Sequence, residues 1–351
     1  MVFFFEGISA RLLGCYGGKR PDLTPAFDRF ARRPDVMQVQ RYYNHTAYTY
    51  RGIFGQCCSA ISGAGAETQF DDKRTLPGLP SILRDNGYDT VFFYSQRYEL
   101  DKMLEKLSFR DRYNFRRIHQ EKLADFPIND TLQYISDDEL FDALINWFKR
   151  RPADSAPFFA GFYNFETHSF MASPRNATPF NPANPNVTLD QLHHLDKQFD
   201  RFIKWFMASP YARNTVLIVT SDHVHYHGDA PFVQLMKSEP DYQSMPFDRI
   251  PLLIYDPGHQ LPQQWDARCG NSLDFAPTVL QLLGIQQARN AFLGESLFSR
   301  TRDYSISSGG DIYFLVRNNR LKPIQVTDRP EPEVADLLKR YQDFCQFIQI
   351  K

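Results

Sequence analysis

Residues 215–228 have the sequence TVLIVTSDHVHYHG. The first half is β-branched or apolar, which is typical of a strand buried on both faces of a sheet. The apolar run stops at Asp222 and His223, and two more histidines, His225 and His227, follow closely. Ligand sites in open α/β sheets lie at such carboxyl ends of strands. A carboxylate beside an imidazole indicates a metal site, and a histidine-rich surface loop is the alternative.

The composition is that of an ordinary globular protein. A chain of 351 residues can form one large α/β domain or two smaller ones. The hydrophobic fraction of 42% and the formal net charge of -1 give no indication of a nucleic-acid-binding surface. The aromatic fraction of 15% suits apolar cores, carbohydrate contacts and membrane-proximal surfaces alike. The five cysteines lack CxxC spacing and leave the redox compartment open.

The sequence contains no segment long enough to be a membrane-spanning helix. Its longest apolar runs, residues 2–5 and 216–219, are far shorter than the roughly 20 residues that such a helix needs. No signal peptide precedes the first predicted strand. Because that strand begins at residue 2, we expect the sequence to be the soluble part of a longer protein, held at a membrane by segments outside it.

Other predicted strands end in similar chemistry. Residues 2–5 predict a buried strand, and Glu6 follows its carboxyl end. The alternative for Glu6 is a helix-start residue stabilised by the helix dipole. Residues 157–163 predict another buried strand, which follows the helical pattern of residues 137–150 and leads to His168. This alternation of helix and strand is typical of a parallel α/β sheet.

The segment around Thr49 offers a hydroxyl at a helix start. Its pattern predicts a helix that begins between Thr49 and Gly52, where unpaired backbone N–H groups would face a phosphate or sulfate. An ordinary N-cap is the alternative for Thr49. Thr46 and Ser59 carry hydroxyls in the same segment, but only Thr49 lies beside the predicted helix start.

We predict an α/β fold with a mostly parallel central sheet, helices on both faces and a small C-terminal α+β portion. Thr24 and Pro25 predict the N-cap and first residue of an early helix. The proline in residues 250–255 places an apolar strand at a sheet edge or marks a strand start. No repeat or linker divides the chain, so we expect residues 1–351 to form one domain, with about 300–351 as a C-terminal subregion.

Taken together, these residues resemble the alkaline phosphatase superfamily. Within it, the sulfatase-like phosphotransferase branch is most similar, which includes lipoteichoic acid synthases, phosphoglycerol transferases and phosphoethanolamine transferases. The resemblance covers nearly the whole chain and depends on the order and spacing of its motifs. The motifs are Phe5-Glu6-Gly7, Leu23-Thr24-Pro25, residues 48–52, Thr167-His168, Ser221-Asp222-His223 and residues 273–278.

The resemblance implies one divalent metal ion. Its ligands would be Glu6, Thr49, Asp222 and His223. Metal coordination would also stabilise the alkoxide form of the threonine hydroxyl, which is a poor nucleophile by itself. Mn²⁺, Mg²⁺ and Zn²⁺ all suit such a set, and the likeness to lipoteichoic acid synthases favours Mn²⁺. His225 and His227 are candidates for a second metal site.

The resemblance also implies substrate-binding residues. His168, Arg175 and His193 correspond to positions that contact the phosphate head group, and Arg51 lies beside the predicted nucleophile. Such groups would stabilise charge on non-bridging phosphate oxygens. Sulfate ester hydrolysis is not expected, because residues 57–61 lack the proline and arginine of the motif that sulfatases need for formylglycine formation.

The predicted function is transfer of a phosphoglycerol- or phosphoethanolamine-type group from a phospholipid to a glycan or lipid acceptor, through a covalent phosphothreonine at Thr49. One alternative is a phosphodiesterase or phosphatase that passes the same intermediate to water. Another is an inactive domain that binds anionic head groups. The resemblance implies an extracytoplasmic location, and the charge balance predicts no nucleic-acid partner.

Overall fold

A computed structural model describes residues 1–61, 76–96, 100–122, 134–152, 155–239, 241–286, 290–310, 312–325 and 329–349. The strands of these residues are β1 (Val2–Phe5), β2 (Val36–Gln40), β3 (Asp89–Tyr94), β4 (Asp111–Tyr113), β5 (Phe158–Tyr163), β6 (Leu217–Ser221), β7 (Leu252–Tyr255), β8 (Gln264–Asp266), β9 (Tyr304–Gly309), β10 (Ile312–Arg317) and β11 (Arg320–Pro323). The helices are α1 (Pro25–Ala31), α2 (Thr49–Cys58), α3 (Leu79–Asp85), α4 (Leu100–Lys106), α5 (Phe115–Lys122), α6 (Asp137–Arg150), α7 (Val187–Ala208), α8 (Ala230–Met236), α9 (Phe275–Leu282) and α10 (Pro332–Gln349).

Eight of the described strands form a mixed sheet in the order β4-β3-β5-β1-β6-β7-β2-β8. All neighbouring strands run parallel except β7, which is antiparallel to both β6 and β2. The prediction of a mostly parallel sheet is therefore confirmed. Pro251 immediately precedes β7, which is an interior strand. The prediction that this strand lies at a sheet edge is therefore wrong, and the alternative prediction, that the proline marks the strand start, is confirmed. A proline at that point lies outside the hydrogen-bonded ladder, so its missing backbone N–H group removes no hydrogen bond from the sheet.

Strand β1 explains why helices cover both faces of the sheet. Successive side chains of a strand point to opposite faces. Phe3 and Phe5 pack in one core with helices α1 and α5 to α8, whereas Val2 and Phe4 pack in the other with α2, α3, α4, α9 and α10. Because both sets are apolar and buried, β1 is stable only at the centre of a sheet that is covered twice.

The start of α1 combines a local and a distant contribution. Thr24 is at the predicted N-cap and Pro25 is the first helical residue, but the Thr24 side chain makes no cap hydrogen bond. Instead, the Asp196 carboxylate of α7 accepts the backbone N–H groups of Ala26 and Phe27 at 2.9 to 3.0 Å. This contact satisfies helix N–H groups that have no partner within the helix and ties α1 to α7.

The C-terminal part has its own small sheet. Strands β9, β10 and β11 form an antiparallel sheet in the order β11-β10-β9, and α10 follows. This agrees with the predicted α+β portion. Among the helices in the described ranges, none has both the length and the apolar character needed to cross a membrane.

Candidate active site and metal centre

The carboxyl ends of β1 and β6 bring three ligand-type residues together. The two strands are parallel neighbours, with Phe5 opposite Ser221, so the residues that follow them meet at one edge of the sheet. One ligand atom from each of Glu6, Asp222 and His223 lies within 4.8 Å of the others, and all three residues are buried.

Helix α2 places Thr49 against this cluster. Thr49 is the first residue of the helix, and its Oγ1 donates a hydrogen bond to Glu6 Oε2 at 2.8 Å. The helix can come this close because residue 52 is glycine: a Cβ there would lie 2.3 Å from the Asp222 carbonyl oxygen. Gln56 donates to the Ser221 carbonyl at 3.0 Å and fixes the next turn.

The buried polar atoms of the cluster are arranged as if around a cation. Asp222 Oδ1 accepts the backbone N–H groups of Gly7 and His223, but Asp222 Oδ2 is buried without a hydrogen-bond partner. His223 Nδ1 lies 2.6 Å from the Val224 carbonyl, which can only accept, so Nδ1 carries the proton. His223 Nε2 then faces Asp222 Oδ2 at 3.3 Å and Glu6 Oε1 at 3.5 Å. An unpartnered carboxylate oxygen and an imidazole nitrogen in such a group fit a divalent metal ion.

The electrostatics of the cluster point in the same direction. Burial, reinforced by the charge of Glu6, raises the pKa of Asp222 to about 8. Burial also raises the pKa of Glu6, but the charges of His223 and His168 and the hydrogen bonds from Tyr163 and Thr49 together lower it below its ordinary value. Two carboxylates this close repel each other when both are charged. A bound divalent cation would remove that penalty.

Tyr163 is a site residue that sequence reasoning missed. It is the last residue of β5, next to β1 in the sheet, and is fully buried. Its hydroxyl donates to Glu6 Oε2 and lies 3.3 Å from Thr49 Oγ1. The only signal in the sequence is its place at the carboxyl end of a predicted strand.

The backbone of Glu6 is held by residues that follow β5. Its N–H group donates to Asn164 Oδ1 at 3.0 Å, and its carbonyl accepts the Thr167 hydroxyl at 2.7 Å. The segment that carries His168 is therefore tied directly to a candidate metal ligand.

A cavity of about 720 Å³ opens above the cluster. Its inner wall is formed by polar site residues and its mouth by aromatic ones. Asp222 lies beneath it rather than along it. The residues that line the cavity include the polar residues Glu6, Thr49, His168, His223 and His225 and the aromatic residues Tyr48, Phe170 and Tyr226.

Of the predicted substrate-binding residues, His168 lies in the cavity wall, and Arg51, Arg175 and His193 do not. His168 Nδ1 is 2.7 Å from the Ser169 carbonyl, so Nε2 is the ring nitrogen left for a ligand. The Arg51 guanidinium lies over the Tyr48 ring at 5.3 Å. Arg175 is exposed, and His193 Nδ1 is bonded to the Leu23 carbonyl at 3.0 Å.

The candidate second metal site has no third ligand in the described residues. His225 Nε2 lies 2.7 Å from Asp229 Oδ2. Across the described part of the chain, the cluster of Glu6, Asp222 and His223 is the one group of three such ligands that is close enough to hold an ion.

The comparisons with known proteins identify a family for this chain. The model of the family described as Sulfatase matches residues 1–285. Lipoteichoic acid synthase 2 of Bacillus subtilis (strain 168) is 22% identical over 287 residues, covering 77% of this chain and 40% of that protein. Phosphoglycerol transferase I of Citrobacter koseri is 23% identical over 295 residues, covering 79% of this chain and 37% of that protein. The chain thus spans at most about 40% of the length of these two relatives.

A solved structure supports the same assignment at the level of the fold. A protein in the alkaline phosphatase superfamily from Vibrio parahaemolyticus has a TM-score of 0.76 at 18% identity, covering 99% of this chain and 85% of that chain. The chain therefore belongs to the family described as Sulfatase, is similar in sequence to a lipoteichoic acid synthase and a phosphoglycerol transferase, and shares its fold with a protein in the alkaline phosphatase superfamily.

Proposed function

We propose that this protein transfers a phosphoglycerol- or phosphoethanolamine-type group from a phospholipid to a glycan or lipid acceptor, with Thr49 as the nucleophile. One observation carries the proposal. The Thr49 hydroxyl is at a helix N-terminus, bonded to Glu6 within a buried cluster that suits a divalent cation, and it faces a cavity. The names of the relatives favour this class of group.

Glu6, Thr49, Asp222 and His223 would hold one divalent ion, with Mn²⁺ favoured and Mg²⁺ or Zn²⁺ suitable for the same ligands. A bound ion would stabilise the alkoxide form of Thr49 and the negative charge of the phosphate. The N–H groups of the first turn of α2 would add donors for the phosphate oxygens. His168, through Nε2, would donate to a non-bridging oxygen.

The reaction would proceed in two displacements at phosphorus. In the first, Thr49 Oγ1 forms a bond to phosphorus while the bond to the lipid alcohol oxygen breaks. Thr49 loses its proton and the departing alcohol gains one, so the step is balanced. In the second, an acceptor hydroxyl forms a bond to phosphorus, the bond to Thr49 Oγ1 breaks, and Thr49 recovers its proton.

The nearest alternative is a hydrolase, in which water takes the place of the acceptor hydroxyl. Both reactions use the same residues, so the acceptor alone distinguishes them. An inactive head-group-binding domain is disfavoured because Thr49 and the three-residue cluster are all in place. We further propose that the domain is extracytoplasmic and that residues 1–351 act as a single catalytic domain.

The test is to incubate the purified chain with Mn²⁺ and phosphatidylglycerol in detergent, and to map adducts by mass spectrometry. We expect a glycerol phosphate group on the peptide that contains Thr49, and its transfer to an added glycolipid. Thr49→Ala is the control and should form no adduct. Turnover without any covalent adduct under rapid quenching, or an adduct on another residue, would contradict the proposal. Release of free glycerol phosphate only, in the presence of acceptors, would favour the hydrolase.

A further inference from the structure

The mouth of the cavity carries most of the exposed large hydrophobic side chains of the described chain. Four such side chains are exposed, namely Phe170 at 68%, Ile312 at 58%, Tyr48 at 57% and Tyr226 at 40%. All but Ile312 line the cavity. We call Tyr48, Phe170 and Tyr226 the aromatic rim. Exposed apolar residues that cluster in this way mark an interaction surface.

Two members of the aromatic rim are held in unfavourable backbone conformations. Tyr48 has φ of 73° and ψ of 131°, and Phe170 has φ of 66°. Bulky side chains rarely adopt positive φ, and such strain persists mainly where function requires it. Both residues would be less strained as glycine, yet each presents a ring to solvent. We take this strain as a sign that the two rings have a functional role.

The rim is built as one unit with the site. Tyr48 precedes Thr49, and Phe170 follows His168 by two positions. The rings of Phe170 and Tyr226 lie 5.4 Å apart, and the Tyr226 N–H donates to the Ser169 hydroxyl at 3.1 Å. A partner that contacts the rim is thus held directly over the nucleophile.

The chemistry of the neighbouring loop favours a bilayer over a sugar. Phe170, Met171 and Ala172 are three consecutive apolar residues, with Phe170 and Ala172 exposed and Met171 half-buried. Their side chains carry no group that could bond a sugar hydroxyl. In residues 169–189, Arg175 is the only ionisable residue, and it is exposed. A short exposed apolar stretch, followed closely by one positive charge, complements the interface of an anionic bilayer.

We infer that the aromatic rim, together with the loop that carries Arg175, inserts into the interface of an anionic phospholipid bilayer, so that the cavity opens onto the lipid head groups. This inference rests on the proposed function, because it supplies the route by which a phospholipid donor reaches Thr49. Aromatic rings favour the interfacial region of a bilayer, and the strained backbone keeps two of them exposed.

The experiment measures binding of the full chain to phosphatidylcholine vesicles with and without phosphatidylglycerol, by co-sedimentation. Wild type should bind the anionic vesicles. Phe170→Gly, which removes a ring and relieves the backbone, should keep the fold and lower the binding constant about tenfold. Tyr226→Ser should act in the same direction, and Arg175→Gln should lower binding about fivefold on anionic vesicles alone. Ile312→Ser is the matched control and should bind as wild type does.

A second readout separates this inference from the proposed function. The ratio of phosphatidylglycerol turnover in vesicles to turnover of a soluble chromogenic phosphodiester should fall about tenfold in Phe170→Gly. Thr49→Ala should still bind vesicles although it turns over neither substrate. Vesicle binding by Phe170→Gly and Tyr226→Ser equal to that of wild type would overturn the inference. The inference would also be overturned if the protein bound a soluble oligosaccharide through the aromatic rim but did not bind vesicles, because the rim would then be a glycan site. Failure of wild type on both phosphodiesters would instead count against the proposed function.

Discussion

The Thr49 hydroxyl donates a hydrogen bond to Glu6 Oε2 at 2.8 Å, although the two residues are 43 positions apart in the chain. Glu6 follows strand β1 and Thr49 begins helix α2, so the contact joins the candidate nucleophile to a candidate metal ligand.

Removing the Asp222 charge should have opposite effects on metal binding and on the stability of the metal-free protein. Asp222→Asn should lower affinity for Mn²⁺ by about tenfold to hundredfold, because an anionic ligand is lost. In chelator, the variant should be more stable than wild type by roughly 1–3 kcal/mol, because the unpartnered Oδ2 and its repulsion with Glu6 disappear. Calorimetry with Mn²⁺ and urea unfolding in chelator measure the two effects. Unchanged metal affinity would contradict the assignment of the cluster.

Thr49→Ala should abolish turnover while keeping most of the metal affinity. The hydroxyl is a neutral ligand, so its loss leaves the charged ligands in place, but no nucleophile remains. We expect turnover of a soluble phosphodiester to fall roughly a thousandfold or more. Thr46→Ala and Ser59→Ala are the controls. Ser59 donates to the Leu273 carbonyl at 2.6 Å, away from the cavity. Near-normal turnover by Thr49→Ala, with loss in either control, would place the nucleophile elsewhere.

Tyr163→Phe should lower kcat without unfolding the protein. The ring stays in the core, but its hydroxyl no longer bonds Glu6 or approaches Thr49. Loss of a hydrogen bond that orients a metal ligand costs about tenfold or more in activity, and KM should change little because the hydroxyl is buried. Tyr255→Phe is a matched control, since that hydroxyl bonds the Ala212 carbonyl at 2.7 Å outside the cavity. Equal kinetics for the two variants would show that Tyr163 does not position Glu6.

The stability of the metal-free protein should fall as the pH rises through about 7 to 8. Burial, more than neighbouring charges, raises the pKa of Asp137 to about 7 and of Glu166 to about 8. Because both folded-state values exceed the unfolded values of about 4, the folded state binds these protons more tightly. Their contribution to stability is complete below about pH 4, falls progressively as the pH rises above the unfolded values, and is fully lost once the pH exceeds the folded-state values of about 7 and 8.

Urea unfolding in chelator between pH 6 and 9 tests this dependence. Between pH 6 and 9, the free energy of unfolding of Glu166→Gln should fall by roughly 2 kcal/mol less than that of wild type, because the amide carries no charge at any of these pH values. Glu331→Gln is the control, since Glu331 is an exposed carboxylate paired with Arg317, and it should keep the wild-type slope. An equal slope in wild type and Glu166→Gln would remove Glu166 as a cause.

Much of the fold could be predicted from the sequence, because periodicity and end signals are properties of consecutive residues. The unbroken run of apolar side chains in residues 2–5 indicated a strand buried in the sheet. The helix predicted over residues 137–150 is present with those bounds. Thr24 and Pro25 located the start of α1. The candidate metal ligands and nucleophile came from motif order and spacing, since residues that follow parallel strands share one edge of the sheet.

Only the tertiary structure decided the relationships between residues that are distant in the sequence. The antiparallel interior position of β7, the capping of α1 by Asp196 and the hydroxyl of Tyr163 beside Glu6 have no local signal. The same holds for the unpartnered Asp222 Oδ2 and for the meeting of Phe170 with Tyr226 at the cavity mouth. Each depends on which elements pack together, and burial and charge at a residue are set by those neighbours rather than by the residues next to it in sequence.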